Sequence, residues 1–515
     1  MEIELKLALD SKAAQDLRAH PLLQQYQSAP PQDQLTTSVY FDTPKLAIWR
    51  CAAGLRVRHC NDRWVQTLKG GGDVAGGLHR RNEWESPVVE PSPDLAALRA
   101  LVPQDSPWGK LLRRKHLAQR LVPVFSTEVL RTVWQLHLPD GVHIECVLDL
   151  GTVRCGAAEV PISEIELELK SGAAKSLFAF ALRLQKTVAL RPANLSKAAR
   201  GYALFSPTAK APSSGPLILT AQTTVEQAFQ QIALRCLDTI QSNEDGVLRG
   251  DSAESVHAMR VGLRRLRCAF SCFATCIALP PSLGKEWEWL AAQLGTARDW
   301  DVLADTTIPA LNDRIAAQRD VGVDAVRAAA QRRGAVGHRD AAAAVASTRY
   351  CRLQLRFMQW LYQCDWRSDS STEPMVLSAM TEPIELFAQQ VQRTCEKRLR
   401  KRGKHLRSGD AAARHRVRIA AKHARYAAEF FQSLHPKRRV RRTIDALTAL
   451  QDALGRCNDA VVADRLLNEL AADAPRRTDL ATAVGFLRGY LAAEQAQQGK
   501  TVRKLFKRWR RRQLV

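Results

Sequence analysis

The chain has 515 residues, 46% of them hydrophobic and 25% charged, a balance that excludes a disordered polymer and a length that excludes one small domain. Its 76 Lys+Arg against 52 Asp+Glu leave a net charge of +24, which calls for a polyanionic partner: nucleic acid, an anionic membrane surface or a phosphate polymer. The opening Met1-Glu2-Ile3-Glu4-Leu5-Lys6 has no basic stretch followed by an apolar one, and no run of about 18 apolar residues follows, so a cytoplasmic protein without a membrane span is expected.

Up to about residue 205 the chain alternates in the manner of antiparallel strands: Glu2-Ile-Glu-Leu-Lys6, Leu55-Arg-Val-Arg58, Trp64-Val-Gln-Thr-Leu-Lys69, His143-Ile-Glu-Cys-Val-Leu148 and Glu164-Ile-Glu-Leu-Glu-Leu169. Residues 206–222, rich in Pro, Ser and Gly, read as a linker, and residues 223–515 carry long Ala/Leu/Arg/Gln-rich stretches of helical spacing. Residues 1–205 hold 26 Lys+Arg and 21 Asp+Glu, leaving 50 and 31 for the rest. The basic excess therefore belongs mainly to the helical part. None of the 12 cysteines forms a Cys-x-x-Cys pair; Cys268, Cys272 and Cys276 recur along one helix face and are read as core packing.

Successive strand side chains point to opposite faces, so Glu2, Glu4 and Lys6 share one face, as do Arg56 with Arg58, Glu83 with Glu85, and Glu164 with Glu166 and Glu168. A charged strand face is ordinarily the solvated one. Acidic strands at both ends of the domain with basic strands between them instead suit the inside of a barrel whose hydrated lumen holds a charged ligand. Carboxylates there would bind a hard divalent cation, and Arg and Lys would grip phosphate oxygens that the cation bridges. The Lys69-Gly-Gly-Gly-Asp73 segment lacks the spacing of a phosphate-binding P-loop.

Those segments, with Tyr40-Phe-Asp-Thr-Pro44, Gly77-Leu-His-Arg-Arg-Asn-Glu83 and Leu195-Ser-Lys-Ala-Ala-Arg-Gly-Tyr202, together resemble the CYTH family of triphosphate tunnel metalloenzymes. The resemblance implies an eight-stranded antiparallel tunnel in an α+β domain spanning residues 1–205, a requirement for Mg2+ or Mn2+, and substrates carrying a linear triphosphate. Carried onto matching positions, it implies that Glu166 and Glu168 hold the catalytic metal, while Glu2 and Glu4 hold a second metal or position the attacking water. Lys6, Arg56, Arg58, Lys69, Arg81 and Arg131 would line the phosphate path, and Lys197 would contact a terminal phosphate. Glu83 and Asp149 are either lumen carboxylates or structural groups, and His79 is read as a loop histidine.

The helical part is written twice. His257, Arg260, Arg264 and Arg267 recur as His415, Arg418, Lys422 and Arg425, and Leu294-Gly295-x2-Arg298-Asp299 recurs as Leu454-Gly455-x2-Asn458-Asp459. Each set of four falls within a helical stripe about 80° wide. Like charges at that spacing repel unless an anion lies over them. A third basic series follows at Arg349, Arg352 and Arg356, and dense basic runs lie at 396–404, 437–442 and 504–512. The last of these fits a solvated tail and a nonspecific anion contact equally.

This duplicated pattern resembles the CHAD family of conserved-histidine α-helical domains, often fused to CYTH domains; it implies an all-α domain of two four-helix bundles with a basic groove that binds inorganic polyphosphate. Asn458, where the first copy has Arg298, is a departure. No helix-turn-helix, zinc-finger or RNA-binding sheet signature competes, although nonspecific contact with nucleic acid is expected at low salt. The expectation from the two resemblances is hydrolysis of inorganic tripolyphosphate to diphosphate and phosphate by a cytoplasmic enzyme associated with polyphosphate granules. The alternatives are a polyphosphate-binding protein with an idle tunnel, or a thiamine triphosphatase or adenylate cyclase of the same fold.

Overall fold

A computed structural model describes residues 2–208, 217–250, 252–315, 322–367, 374–407, 411–473 and 478–511. Residues 209–216 of the expected linker lie outside that set. The contacts gather into two units, Met1–Pro216 with Thr348–Cys364, and Leu217–Ser347 with Asp365–Val515.

The first unit is built on nine strands: β1 (Glu2–Ala8), β2 (Gln32–Asp42), β3 (Ala53–Cys60), β4 (Arg63–Ala75), β5 (Leu78–Val88), β6 (Val122–Leu138), β7 (Val142–Cys155), β8 (Ala158–Ser171) and the two-residue β9 (Arg191–Pro192). They pair in the order β5-β4-β3-β2-β6-β7-β8-β1-β9, and the additional β5–β1 pairing closes the first eight into an antiparallel barrel. Closure depends on β1 dividing its edge. Glu2–Leu5 pairs with Leu78–Arg81 of β5, whereas Leu7 and Ala8 pair with β9. A bulge between Gly70 and Asp73 bends β4 onto β5. Gly72 sits there at φ +84°, where a Cβ would fall 1.6 Å from the Arg80 carbonyl oxygen.

Alternation sorts the barrel's two faces. Leu5, Leu7, Ile165 and Leu167 point outward and are fully buried beneath the helix Lys175–Leu184, which offers Leu177, Phe178 and Ala181 in return. The charged partners of the same strands point inward, since they pair with residues a strand away: Lys69 of β4 reaches Glu2 of β1 across β5, and Arg131 of β6 reaches Glu166 of β8 across β7. Pairs that skip a strand meet only on the concave side of a closed sheet.

One end of the lumen is apolar and sealed. Tyr40, Phe125, Val129, Val153 and Ile162 cluster there around Tyr202, which belongs to the helix Lys197–Phe205. Gly201 lets that helix approach, because a Cβ would stand 2.2 Å from the Phe125 ring. Tyr202 stacks on Trp49 at 4.3 Å and donates its hydroxyl to Asp42 Oδ2 at 2.9 Å. Asp42 is itself fully buried, and it also accepts from the amides of Thr43, Ile48 and Trp49.

The helix Thr348–Gln363, which follows the first set of bundle helices in sequence, rests on the outside of the barrel. Tyr362 stacks on Phe178 with centroids 5.8 Å apart and receives the Arg80 guanidinium over its ring at 4.6 Å. Arg349, Arg352 and Arg356 occupy its exposed face.

The second unit repeats one design. Helices Val225–Gln241, Ala253–Phe273, Pro281–Val302 and Val323–Ala346 form one set of four, and Ile384–Gly403, Ala411–Phe430, Lys437–Asp473 and Thr478–Arg510 form the other. Each set follows a polar and apolar alternation of helical period. A capping box, Thr224 with Gln227, starts the first helix. Leu303, Val326, Leu466 and Leu487 lie in one core cluster drawn from both sets. Cys268 and Cys272 are buried in the helical core with sulfurs 3.9 Å apart.

Tyr202→Phe removes one of four donors to a buried carboxylate. It is expected to destabilise the barrel by about 1–2 kcal/mol, read as a lower urea midpoint for that unit's transition.

Candidate active site and anion groove

The inward face of the barrel is a continuous network of ion pairs. At its centre lie Asp149, Glu164 and Glu166, three buried carboxylates whose nearest oxygens fall within 4.8 Å of one another. Lys197, the first residue of the closing helix, reaches all three: Nζ stands 2.6 Å from Asp149 Oδ2, 2.5 Å from Glu164 Oε1 and 2.8 Å from Glu166 Oε1. Arg131 grips Asp149 with two hydrogen bonds of 2.9 and 2.7 Å and reaches Glu166 at 3.3 Å. Lys6 pairs with Glu166 and, at 3.1 Å, with Glu4, and Arg200 pairs with Glu164.

Burial opposes charge on Lys6, Arg131, Asp149, Glu166 and Lys197, and the partners reverse its effect. Glu166 is held well below the ordinary carboxylate range because Lys197, Lys6 and Arg131 outweigh its burial. Lys197 is raised because Asp149, Glu164 and Glu166 outweigh its own. Lys6, Arg131, Asp149, Glu166 and Lys197 are therefore ionised at neutral pH.

Toward the other end the pairing thins. Lys69 bonds both oxygens of Glu2, at 2.9 and 2.8 Å, and lies 3.1 Å from Glu83. Arg56 is 3.8 Å from Glu83 and 3.9 Å from Glu85. Arg58 has no carboxylate within ion-pair distance among the described residues, and burial, with Arg56 and Arg131 close by, lowers it to about 10. Glu168 faces the opposite imbalance: burial raises it, and Glu2 and Glu145 raise it further, against a 2.8 Å contact with Lys170. The lumen thus holds a cation without a carboxylate partner among the described residues, Arg58, and a carboxylate crowded by others, Glu168.

The structure places the predicted residues as follows. Glu2, Glu4 and Lys6 lie on β1, with Glu4 in register with Glu168 and Lys6 with Glu166. Arg81 lies opposite Glu2, and Arg56, Arg58, Lys69 and Arg131 share the lumen. The three carboxylates gathered most tightly are Asp149, Glu164 and Glu166, so two residues outside the predicted metal set join one inside it. Extending the His143–Leu148 alternation to Asp149 would have placed Asp149 beside Glu145 on the inner face. His79 is not in a loop. It lies on β5 opposite Glu4, its Nε2 2.9 Å from the Ala193 carbonyl, and burial together with Lys6 and Arg81 keeps it neutral.

The donor chemistry fits a divalent cation. Glu2, Glu4 and Glu168 with Glu166 supply only carboxylate oxygens, the ligands preferred by Mg2+ and Mn2+, and the raised Glu168 is a site where added positive charge relieves repulsion. The tighter cluster of Asp149, Glu164 and Glu166 already has Lys197 as its cation.

In the helical unit the two stripes face one another. Arg260, Arg264, Arg418 and Lys422 repel across the gap between helices Ala253–Phe273 and Ala411–Phe430. Asp299 and Asp459 supply the negative charge beneath them. The Nε atoms of Arg260, Arg264 and Arg418 and Nδ1 of His257 are buried without a hydrogen-bond partner, a concentration that calls for an acceptor from outside the chain. The Arg260 guanidinium lies over Gly295, 2.9 Å from where a Cβ would stand. His415 Nδ1 meets Asn458 Oδ1 at 3.3 Å. Arg425 and Arg267 are drawn aside, Arg425 to Glu429 at 3.5 Å and Arg267 to Glu288 at 3.9 Å. Burial, with Arg418 and Arg264, lowers Lys422 from 10.5 to about 7.

Residues 1–202 match the CYTH domain family and residues 231–468 the CHAD domain family. The chain belongs to both: a CYTH barrel followed by a CHAD helical domain. It is 35% identical over 206 residues to an inorganic triphosphatase of Haemophilus influenzae, a match that covers 40% of this chain and 55% of that protein, so the chain spans about half of that relative's length. The solved CHAD domain of the plant Ricinus communis is 36% identical, with a TM-score of 0.50, over 57% of this chain and 97% of that one. No helix among the described residues is long and apolar enough to cross a membrane.

Two outcomes follow from the charge balance. A carboxyl whose folded pKa is raised weakens the fold once ionised, so Glu168→Gln raises the thermal midpoint at pH 7; the gain closes below about pH 4, where both states are protonated. Mg2+ is expected to raise the wild-type midpoint, and the same change is expected to remove that rise. In the groove, an anion draws Lys422 back toward its ordinary value, so binding takes up a proton between about pH 7 and 10. Polyanion affinity therefore falls as pH rises through that window, by up to about tenfold per pH unit for one proton, and Lys422→Arg flattens the profile in calorimetric titrations.

Proposed function

We propose that the barrel hydrolyses inorganic tripolyphosphate to diphosphate and phosphate with Mg2+ or Mn2+, and that the helical unit binds inorganic polyphosphate. The observation that carries the reading is the lumen's exchangeable charge. Lys6 and Lys69 are each paired with a carboxylate assigned to the metal, which a metal ion can take over, and Arg58 lacks a carboxylate partner among the described residues. A linear triphosphate with its cation supplies both missing partners at once. The triphosphatase relative in Haemophilus influenzae supports the same substrate class.

In this reading Glu2, Glu4, Glu166 and Glu168 hold the divalent cation, which when bound neutralises charge developing on the leaving phosphate. Lys6, Arg56, Arg58, Lys69, Arg81 and Arg131 hold the phosphate oxygens in line for attack. Glu2 and Glu4 also orient the attacking water and accept its proton. Lys197 binds a terminal phosphate at the sealed end, where the helix amide dipole adds to its charge. The apolar plug of Tyr202 and Phe125 behind it leaves no lumen for a longer chain at that end. Polyphosphate in the groove would hold the enzyme at polyphosphate granules.

The test is phosphate release from tripolyphosphate by the full chain with Mg2+, Mn2+ or a chelator, with ATP and thiamine triphosphate offered in competition. The expected result is metal-dependent release confined to tripolyphosphate, reduced at least about a hundredfold by Glu4→Gln. Release with no metal, or preferential turnover of ATP or thiamine triphosphate, would overturn the substrate assignment. No release under any metal would leave a polyphosphate-binding protein with an idle tunnel. Arg264→Glu with Lys422→Glu is expected to weaken polyphosphate binding at least about tenfold at physiological salt.

A further inference from the structure

A second basic concavity lies in the helical unit, away from the paired stripes. The C-terminal end of helix Ile384–Gly403 and that of helix Thr478–Arg510 converge around a depression of about 1640 Å3. Lys397, Arg400, Lys401 and Lys404 line it from one side and seven Lys and Arg between Lys500 and Arg511 from the other. These come from two basic runs about a hundred residues apart, and no acidic residue joins them in the lining.

The convergence is built into the core. Gly403 accepts the Phe506 ring so closely that a Cβ would stand 2.0 Å from it, and Leu399, Leu406, Val502 and Trp509 fill the seam in the same cluster. The basic side chains stand exposed on both flanks of this fixed seam. None of them makes an ion pair with a carboxylate among the described residues. In the groove, by contrast, Asp299 and Asp459 accompany the cations. The two helix C-termini account for only about one negative charge between them, far short of the positive charges around the depression. Solvated basic faces are convex and let their charges diverge into water; here they converge across a concavity, which raises the local potential and favours an anion.

The lining also restricts the ligand. Its single aromatic ring, Phe506, is buried in the seam, so nothing is available to stack on a nucleic-acid base. No exposed large aliphatic side chain is present to enter a bilayer. The volume far exceeds one phosphate group, and flexible lysine stems suit a chain without fixed geometry.

We propose that this depression is a second anion-binding site that takes a flexible linear phosphate polymer. None of the groove's His, Arg or Lys residues lines it, so the assignment stands or falls separately from the groove reading.

The test is calorimetric titration of the full chain with short-chain inorganic polyphosphate at physiological salt. Two classes of site are expected in the wild type. Lys401→Gln with Lys504→Gln and Lys507→Gln should weaken one class and flatten the salt dependence of that phase by about two in log-log slope, while Arg264→Glu with Lys422→Glu should weaken the other. Unchanged circular dichroism and thermal midpoints confirm that each variant is folded. One class of site in the wild type, or an unchanged isotherm in the triple variant, would overturn the proposal. So would a single-stranded oligonucleotide of equal charge that occupies the site and is not displaced by polyphosphate.

Discussion

The barrel depends on one constraint, that charges placed inside a closed sheet must be neutralised there. An isolated buried carboxylate or ammonium costs several kcal/mol even after relaxation, and the lumen holds many. Most of the strands therefore supply ions whose partners sit on other strands, and the network crosses the barrel rather than running along it. Lys197 ties three carboxylates at the sealed end, Arg131 forks onto Asp149, and Lys69 joins Glu2 to Glu83. This network compensates the charges inside the barrel, and only a molecule that brings both signs of charge would replace its pairs.

The helical unit meets the opposite condition. Its stripes face each other with more cations than carboxylates and with several guanidinium Nε atoms unpartnered. Burial and mutual repulsion lower Lys422 to about 7, so part of the cost is met by giving up a proton. The barrel thus carries its own counter-ions, whereas the groove holds more cations than carboxylates. Two different electrostatic devices thus stand in one chain. Closing the barrel with Lys197 at the N-terminus of its plugging helix places a cation where the lumen narrows, and Asp42 anchors that helix through Tyr202.

Much of this was legible in the linear order. The alternation Glu2-Ile-Glu-Leu-Lys6 and Glu164-Ile-Glu-Leu-Glu168 placed charges on one strand face, and the repeated His-x2-Arg-x3-[Arg/Lys]-x2-Arg spacing placed cations on one helix face. Both are local consequences of backbone period. Which carboxylates gather most tightly was not legible, because Asp149, Glu164 and Lys197 meet through cross-strand register and the docking of a helix distant in sequence. The reading of His79 as a loop histidine failed for the same reason: pairing with β1 places it on a strand.

The sequence by itself determined the element types, the inward charged face and the duplication, because each follows from a period of two or 3.6 residues. Tertiary structure alone decided three other things. It chose the partner of each buried charge. It laid helix Thr348–Gln363 on the barrel rather than among the bundle helices, since Tyr362 finds Phe178 and Arg80 there. It also brought two distant basic runs to one depression through the fit of Phe506 against Gly403. Each of these rests on side chains far apart in sequence competing for one partner, and that competition is settled only when the chain has closed on itself.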